Sequence, residues 1–159
     1  MSFAAELLEA LRQRQLTIAA AEGDTGGVLL DSLTCVPGSS AVVLGGVVAY
    51  HDRLKLDLLY VLEDTLREHG AVSREVAEAM AIGVHILTQS DVGIATTGIA
   101  GPGGATETKP VGLAWVAATD GRRTLSREHH WLGNRSENRQ ASADAAIALA
   151  LELLKIPSD

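Results

Sequence analysis

Residues 17–33 read TIAAAEGDTGGVLLDSL and carry three local signals in succession. The segment Thr17–Glu22 is short and apolar, as expected for a strand buried in a sheet. Gly23–Gly27 is a glycine-rich turn, and the apolar residues of Val28–Leu33 then recur at helical spacing. A strand, a tight turn and a helix in this order predict an α/β protein. The junction also favours a ligand contact at the turn, because backbone N–H groups at a helix N-terminus attract phosphate or a developing oxyanion.

Helices and strands alternate on both sides of this segment. We predict helices over Ser2–Gln13, Leu54–Val61, Ser73–Thr88 and Asn134–Lys155. We predict strands over Ala41–Tyr50, Asp91–Thr97, Val111–Thr119 and Arg123–Trp131. Residues 62–70 are expected to be an irregular or helical connection, and residues 99–110 a loop dense in glycine and proline.

Three details refine this pattern. The dipeptide Asp120-Gly121 predicts that the last two strands form a hairpin and are therefore antiparallel. The valine-rich segment Ala41–Tyr50 suits a central strand, and helical spacing places Phe3 and Leu87 on the inward faces of their helices. The predicted fold class is thus α/β, a three-layer α/β/α domain with a mixed sheet, as one domain over residues 1–159.

Composition limits the classes of function. Hydrophobic residues make up 47% of the 159 residues but aromatic residues only 3%, so small aliphatic side chains must fill the core. The formal net charge of −7 disfavours a protein that wraps nucleic acid, which needs a cationic face to displace counterions. A small anionic ligand is still compatible with this charge, because backbone N–H groups can hold it.

Signals for targeting, membrane insertion and metal binding are lacking in the sequence. No signal peptide and no apolar run of about 18 residues is present, so we expect a cytoplasmic protein without a membrane span. Cys35 is the only cysteine, so it can neither form an internal disulfide nor build a cysteine metal site. His129 and His130 alternate across a predicted strand and cannot chelate one ion together. We therefore expect no metal and no cofactor.

A second glycine-rich loop, Gly98–Gly104, follows another predicted strand. Open α/β sheets bind ligands beyond the carboxyl ends of their strands, so the two loops could flank one cleft. Neither loop has the spacing of a dinucleotide-binding or Walker motif. Each loop considered alone fits a ligand site and an ordinary turn equally well, because glycine ends elements in every α/β fold.

A series of motifs resembles a known family. The motifs are AEGDTGG at 21–27, VPGSS at 36–40, GGVVAY at 45–50, HGAVS at 69–73, TGIAGPGG at 97–104 and KPVG at 109–112. In this order they resemble the CinA C-terminal domain, the nicotinamide mononucleotide deamidase family. The resemblance runs from about Leu7 to Leu154. It does not include the large N-terminal domain of full-length members, so the chain resembles the stand-alone form.

The resemblance implies a reaction. Members hydrolyse the carboxamide of nicotinamide mononucleotide to nicotinic acid mononucleotide and ammonia, without a metal. The family's nucleophile is the serine after the motif glutamate, and the lysine that assists it corresponds to Lys55, with Tyr50 beside it. Thr97 and Arg135 match further site positions, and the Arg135 guanidinium suits a phosphate. The resemblance also implies a homo-oligomer, most simply a two-fold dimer.

Further positions in or beside the two loops are expected to contact the ligand. These are Glu22, Asp24, Thr25, Gly26, Gly27, Gly98, Gly101, Gly103 and Gly104. Outside this resemblance, Lys55 would be interpreted as a solvated helix residue, Tyr50 as a rim aromatic, Thr97 as a strand-end hydrogen-bonding group and Arg135 as a surface side chain.

The sequence departs from the family at the nucleophile. Gly23 stands where the family has serine, and Asp24 stands where it has cysteine. Glycine has no side chain that can attack a carbonyl carbon, so the acyl-enzyme route is closed at this position.

Three hypotheses follow. The chain binds a pyridine mononucleotide but has lost or weakened deamidation. Alternatively, it is an active amidohydrolase that uses Asp24, Thr25 or an activated water. In the third hypothesis it is a non-catalytic regulatory or structural partner of another protein.

Overall fold

A five-stranded mixed sheet forms the middle layer of the protein, in a computed structural model that describes residues 1–157. The strands are β1 (Ile18–Glu22), β2 (Val43–Val48), β3 (Val92–Gly98), β4 (Leu113–Thr119) and β5 (Thr124–His130). Their order across the sheet is β2-β1-β3-β4-β5. β1 is parallel to β2 and β3, whereas β4 is antiparallel to both β3 and β5. The predicted mixed sheet and its hairpin are confirmed.

Six α-helices within the described part of the chain cover the two faces of this sheet. They are α1 (Phe3–Arg14), α2 (Val28–Thr34), α3 (Asp52–Leu59), α4 (Glu63–His69), α5 (Arg74–Thr88) and α6 (Arg135–Lys155). α1, α2 and α6 pack on one face, and α3 and α5 pack on the other. Ser73 and Asn134 cap α5 and α6 as predicted, and the capping box between Asn134 and Glu137 is present. No helix in residues 1–157 is both long and apolar enough to cross a membrane.

The core divides according to the alternation of side chains along the strands. In β1, Ile18 and Ala20 contact the α1, α2 and α6 layer, whereas Ala19 and Ala21 contact the α5 layer. Small residues bring α5 close to the sheet. Gly93 of β3 has no Cβ, and a Cβ placed there would lie 2.3 Å from the carbonyl oxygen of Ala81 on α5, which is too close for two non-bonded atoms. This close packing is how a chain with few aromatic residues fills its core.

Three sequence predictions about packing are wrong. The segment Ala41–Tyr50 forms the edge strand β2, not a central one. The residues of β2 alternate between partly buried and exposed, so one face of the strand is open. An apolar composition carries no information about how many strands lie beside a strand. Phe3 and Leu87 are 57% and 41% exposed, because periodicity sets the angle of a side chain around its helix but not whether a partner element reaches it.

The topology determines where a site can form. β1, β2 and β3 are parallel, so their carboxyl ends lie at the same edge of the sheet. The loops after these three strands and the N-terminus of α6 meet at this edge.

Candidate functional site

A cavity of about 280 Å³ opens at this edge, between the two glycine-rich loops. Ten of the residues predicted from the sequence line it: Gly23, Asp24, Tyr50, Lys55, Thr97, Gly98, Gly101, Gly103, Gly104 and Arg135. Asp52, Ala71, Val72, Ile99 and Ala100 line it as well and were not predicted as site residues. The structure therefore brings the two loops to one cavity, although seventy residues of sequence, 28–97, lie between them.

Gly23 forms a bare part of the cavity wall. Its N–H donates to the Thr96 carbonyl oxygen at 2.9 Å, which extends the pairing of β1 with β3. A Cβ at this position would lie 3.1 Å from that oxygen and 3.7 Å from Thr97 Oγ1. The φ angle of Gly23 lies outside the left-handed region, so the backbone would accept a side chain after a small shift.

Asp24 belongs to the cavity lining, and its carboxyl group lies against Gly98. Its Oδ1 is buried and has no hydrogen-bond partner in residues 1–157, and its Oδ2 lies 2.8 Å from where a Cβ of Gly98 would be. The glycine at 98 thus leaves the space that the carboxyl group occupies. Burial raises the pKa of Asp24 from 3.8 to about 6, against the opposing effects of its backbone N–H and of the Arg139 and Arg135 guanidinium groups.

Lys55 lies on α3, just after β2, and is only 3% exposed. Its Nζ donates to the Ala49 carbonyl oxygen at 2.9 Å and to Asp52 Oδ1 at 3.1 Å. An ammonium group has three N–H donors, so one N–H is left for a ligand when only the described residues are considered. The interpretation of Lys55 as a solvated helix residue is wrong.

Arg135, Tyr50 and Thr97 complete the polar lining. Arg135, the first residue of α6, is exposed and donates to the Gly101 carbonyl oxygen at 2.8 Å and to the Tyr50 hydroxyl at 3.0 Å. It therefore ties the second glycine-rich loop to the residue that follows β2. Thr97 is buried and donates its hydroxyl proton to the Ala71 carbonyl oxygen at 2.7 Å, which leaves its oxygen as an acceptor.

Glu22 does not line the cavity, although the sequence analysis expected ligand contacts there. Its carboxylate accepts hydrogen bonds from the Thr25 hydroxyl at 2.6 Å and from the N–H groups of Gly27, Leu29 and Leu30 at 2.8–3.1 Å. The N–H groups of Gly27, Leu29 and Leu30 at the N-terminus of α2 are therefore not open to a phosphate or oxyanion, because this carboxylate already occupies them.

Thr25, Gly26 and Gly27 are also outside the cavity lining. Thr25 is fully buried, and its Oγ1 lies 2.7 Å from Thr96 Oγ1 in addition to its bond with Glu22. The geometry does not support Thr25 as a replacement nucleophile.

Two residues of α6 that position the site were missed. Arg139 donates to the carbonyl oxygens of Asp24 and Thr25 at 3.0 and 2.8 Å, and Asn138 donates to the Ala100 carbonyl oxygen at 3.0 Å. They follow Arg135 by three and four residues, so all three share one face of the helix. This helical spacing from Arg135 is the feature of the sequence that could have identified both residues. No group of three His, Cys, Asp or Glu side chains suited to a metal ion is found in residues 1–157.

The chain matches one protein family over nearly its whole length. Residues 1–154 match the CinA C-terminal domain. The chain is 47% identical over 140 residues to a CinA-like protein of Syntrophus aciditrophicus, a match that covers 87% of this chain and 33% of that protein. It is 46% identical over 152 residues to a CinA-like protein of Salinibacter ruber, covering 96% and 37%. The chain thus spans about a third of the length of these curated relatives.

Solved structures match over nearly their whole length. The competence/damage inducible protein CihA of Agrobacterium tumefaciens has a TM-score of 0.92 and 37% identity, with 97% of this chain and 94% of that chain covered. The competence damage-inducible protein A of Klebsiella pneumoniae also has a TM-score of 0.92, with 30% identity and coverage of 98% and 97%. These likenesses extend to the three-layer arrangement and the mixed sheet.

Proposed function

Since the chain belongs to the CinA C-terminal domain family, we propose that it binds a pyridine mononucleotide in the cavity but has lost or weakened the hydrolysis of the carboxamide. One observation carries this proposal. The cavity keeps Lys55, Thr97 and Arg135 around a wall that consists of bare backbone at Gly23.

The lining groups suit the parts of such a ligand. At the buried end, the remaining N–H of Lys55 can donate to the carboxamide oxygen, and the Thr97 oxygen can accept an amide N–H. At the exposed end, the Arg135 guanidinium supplies positive charge for the phosphate. The cavity volume of about 280 Å³ favours a single nucleotide over a dinucleotide.

The catalytic loss follows from the missing hydroxyl group. Lys55 has no serine to deprotonate, and no acyl-enzyme can form on glycine. Removing the nucleophile from an enzyme of this type lowers the turnover number by roughly 10⁴- to 10⁶-fold.

A second candidate function is hydrolysis by water, with Asp24 as general base. The presence of a carboxyl group on Asp24, a residue of the cavity lining, favours it. Water would give a proton to Asp24, and its oxygen would add to the carboxamide carbon. The C–N bond would then break, and the leaving nitrogen would take up the proton to depart as ammonia.

The test is a calorimetric titration with nicotinamide mononucleotide, paired with an ammonia-release assay. We expect saturable binding and ammonia release close to the blank. Robust turnover would contradict the loss of catalysis, and its abolition by Asp24→Asn would then support the water route. Absence of both binding and turnover would overturn the proposal in favour of a non-catalytic partner protein.

A further inference from the structure

Lys109 connects two segments of the cavity wall, although it is not itself part of the lining. It lies in the β3–β4 loop (residues 99–112), which supplies part of the cavity wall. Its Nζ donates to the carbonyl oxygen of His69 in the α4 end (residues 69–72), where Ala71 and Val72 line the cavity. We propose that Lys109 is a positioning residue, which holds the two segments in a fixed arrangement and thereby raises the affinity of the cavity for its ligand.

The α4 end has room for the Lys109 ammonium group because residue 70 is glycine. Gly70 has a φ angle of +75°, and a Cβ at this position would lie 2.8 Å from Lys109 Nζ. His69 is the last residue of α4, so its carbonyl oxygen has no partner within the helix and is open to a donor. A charged donor makes a stronger hydrogen bond than a neutral one. Glycine thus provides the space for this contact, and lysine provides the charged donor.

The α4 end has few other anchors. No residue of α4 is buried, so packing contributes little to holding this helix in place. The Ala71 carbonyl oxygen accepts a hydrogen bond from the Thr97 hydroxyl on β3 at 2.7 Å. Within residues 1–157, this is the one side-chain hydrogen bond from β3 or the β3–β4 loop that would remain on the α4 end without Lys109.

The β3–β4 loop is anchored near both ends and exposed between them. Near its start, Arg135 donates to the Gly101 carbonyl oxygen at 2.8 Å, and toward its end Lys109 makes the contact with α4. Residues 102–108 between these anchors are exposed, so their position depends on the anchors more than on packing. Two residues of this exposed stretch line the cavity.

Freedom in either segment opposes binding. A ligand that contacts both segments must hold them in one arrangement, and the entropy lost in ordering them reduces the affinity. Lys109 fixes that arrangement before the ligand arrives, so its removal should raise the dissociation constant and make local opening of the two segments more frequent. The inference rests on the proposed function, because a mononucleotide must occupy the cavity for the effect on affinity to be measured.

The experiment compares the natural chain with Lys109→Met and with Lys155→Met as control. Methionine is similar in length to lysine but has no charged donor. Lys155 is exposed in the last turn of α6, so its replacement makes the same change in net charge away from the cavity. Calorimetric titration with nicotinamide mononucleotide gives the dissociation constants. We expect Lys109→Met to raise the constant roughly tenfold, as loss of one charge-assisted hydrogen bond would, and Lys155→Met to leave it unchanged.

Amide hydrogen exchange of the ligand-free proteins, followed by NMR, distinguishes positioning from general destabilisation. The Gly70 N–H donates to the Leu66 carbonyl oxygen at 2.9 Å and reports on the α4 end. The Ala49 N–H donates to the Glu22 carbonyl oxygen at 2.8 Å and serves as the reference. In Lys109→Met, exchange at Gly70 should be roughly tenfold faster and exchange at Ala49 unchanged.

Gly70→Ala tests the same contact from the other segment. Its Cβ would displace the Lys109 ammonium group. The Thr106 N–H, which donates to the Lys109 carbonyl oxygen at 2.8 Å, should therefore exchange faster although it lies in the β3–β4 loop. This variant keeps the inference testable if Lys109→Met does not fold.

An unchanged dissociation constant in Lys109→Met would overturn this inference and leave the proposed function intact. Equal acceleration of exchange at Gly70 and Ala49 would overturn it as well, because the lysine would then stabilise the whole fold and not the two segments. Failure of the natural chain to bind nicotinamide mononucleotide would overturn the proposed function, and the role of Lys109 in affinity with it.

Discussion

Under the proposed function, two adjacent residues, Gly23 and Asp24, distinguish this chain from the pattern that the resemblance implies for its family. Gly23 has no hydroxyl group with which to attack the ligand, and its main-chain N–H pairs β1 with β3. Asp24 adds an acid in the same cavity, in the space that Gly98 leaves open. A Cβ at position 23 requires only a small shift against the Thr96 oxygen, so each difference can be reversed alone.

Restoring the hydroxyl group is the first prediction at this scale. Gly23→Ser should raise ammonia release from nicotinamide mononucleotide at least roughly a hundredfold, because it places a hydroxyl group in the cavity that Lys55 also lines. The new side chain fits after a small shift, since its Cβ would lie 3.1 Å from the Thr96 carbonyl oxygen. Gly23→Ala is the matched control, since it makes the same Cβ contact without a hydroxyl group. Equal rates for the two variants would show that the rest of the site is not catalytically intact.

The second prediction at this scale concerns stability. The pKa of Asp24 is raised from 3.8 to about 6 by folding, so the folded state binds more protons than the unfolded state between these values. Stability therefore falls as pH rises through this window, by about 3 kcal/mol in total. Asp24→Asn abolishes this loss. Urea denaturation gives the free energy of unfolding of Asp24→Asn and of the natural chain at each pH. The value for the variant minus the value for the natural chain should be about 1.5 kcal/mol larger at pH 8 than at pH 5. A constant difference at the two pH values would contradict the prediction.

At the scale of elements, α2 begins on a buried carboxylate of its own chain. Glu22 ends β1 and accepts the N–H groups of Gly27, Leu29 and Leu30, so negative charge sits at the positive end of the helix dipole. One residue thereby fixes the angle between strand and helix and holds the turn that carries Gly23 and Asp24. Glu22 therefore has a structural role in this turn, whereas Gly23 and Asp24 are the residues of the turn that line the cavity.

Removing this carboxylate tests that role. Glu22→Ala leaves three N–H groups and the Thr25 hydroxyl without their acceptor and should lower the free energy of unfolding by about 3 kcal/mol or more. Glu22→Gln keeps one acceptor oxygen and should cost about 1–2 kcal/mol. Glu63→Ala, in the exposed first turn of α4, is the control and should change stability by less than about 0.5 kcal/mol. Urea denaturation measures all three, and similar losses in Glu22→Ala and Glu63→Ala would refute the capping role.

At the scale of the whole molecule, β2 leaves an apolar edge open. Val43–Val48 contains no charged residue and no proline, and Leu44 and Val48 on it are 53% and 38% exposed. Edge strands without charges are suited to pairing with another chain, and two-fold dimers are the commonest oligomers. We propose that a second copy of the chain covers this edge.

Sedimentation equilibrium tests this proposal. The natural chain should have the mass of a dimer at micromolar concentration, and Leu44→Lys should shift it toward the monomer, because the charge is buried on association. Leu132→Lys is the control, since Leu132 is fully exposed outside the sheet. A natural chain that is monomeric at all concentrations would contradict the proposal.

Local signals in the sequence were sufficient for the architecture. Periodicity, the caps at Ser73 and Asn134 and the turn at Asp120 depend on residues close together in the chain, so they predicted the elements, the mixed sheet and the three layers. The order of motifs likewise indicated the family, and ten of its expected positions line one cavity.

Tertiary structure alone decided the edge position of β2, the burial of Lys55 and the placement of the Asp24 carboxyl group against Gly98. Each depends on contacts between segments that are distant in the chain, such as Asp24 against Gly98 and Arg139 against the first turn. The residue type determines which hydrogen bonds and ion pairs a side chain can make. Which bonds it does make is settled only when packing brings the competing partners within reach.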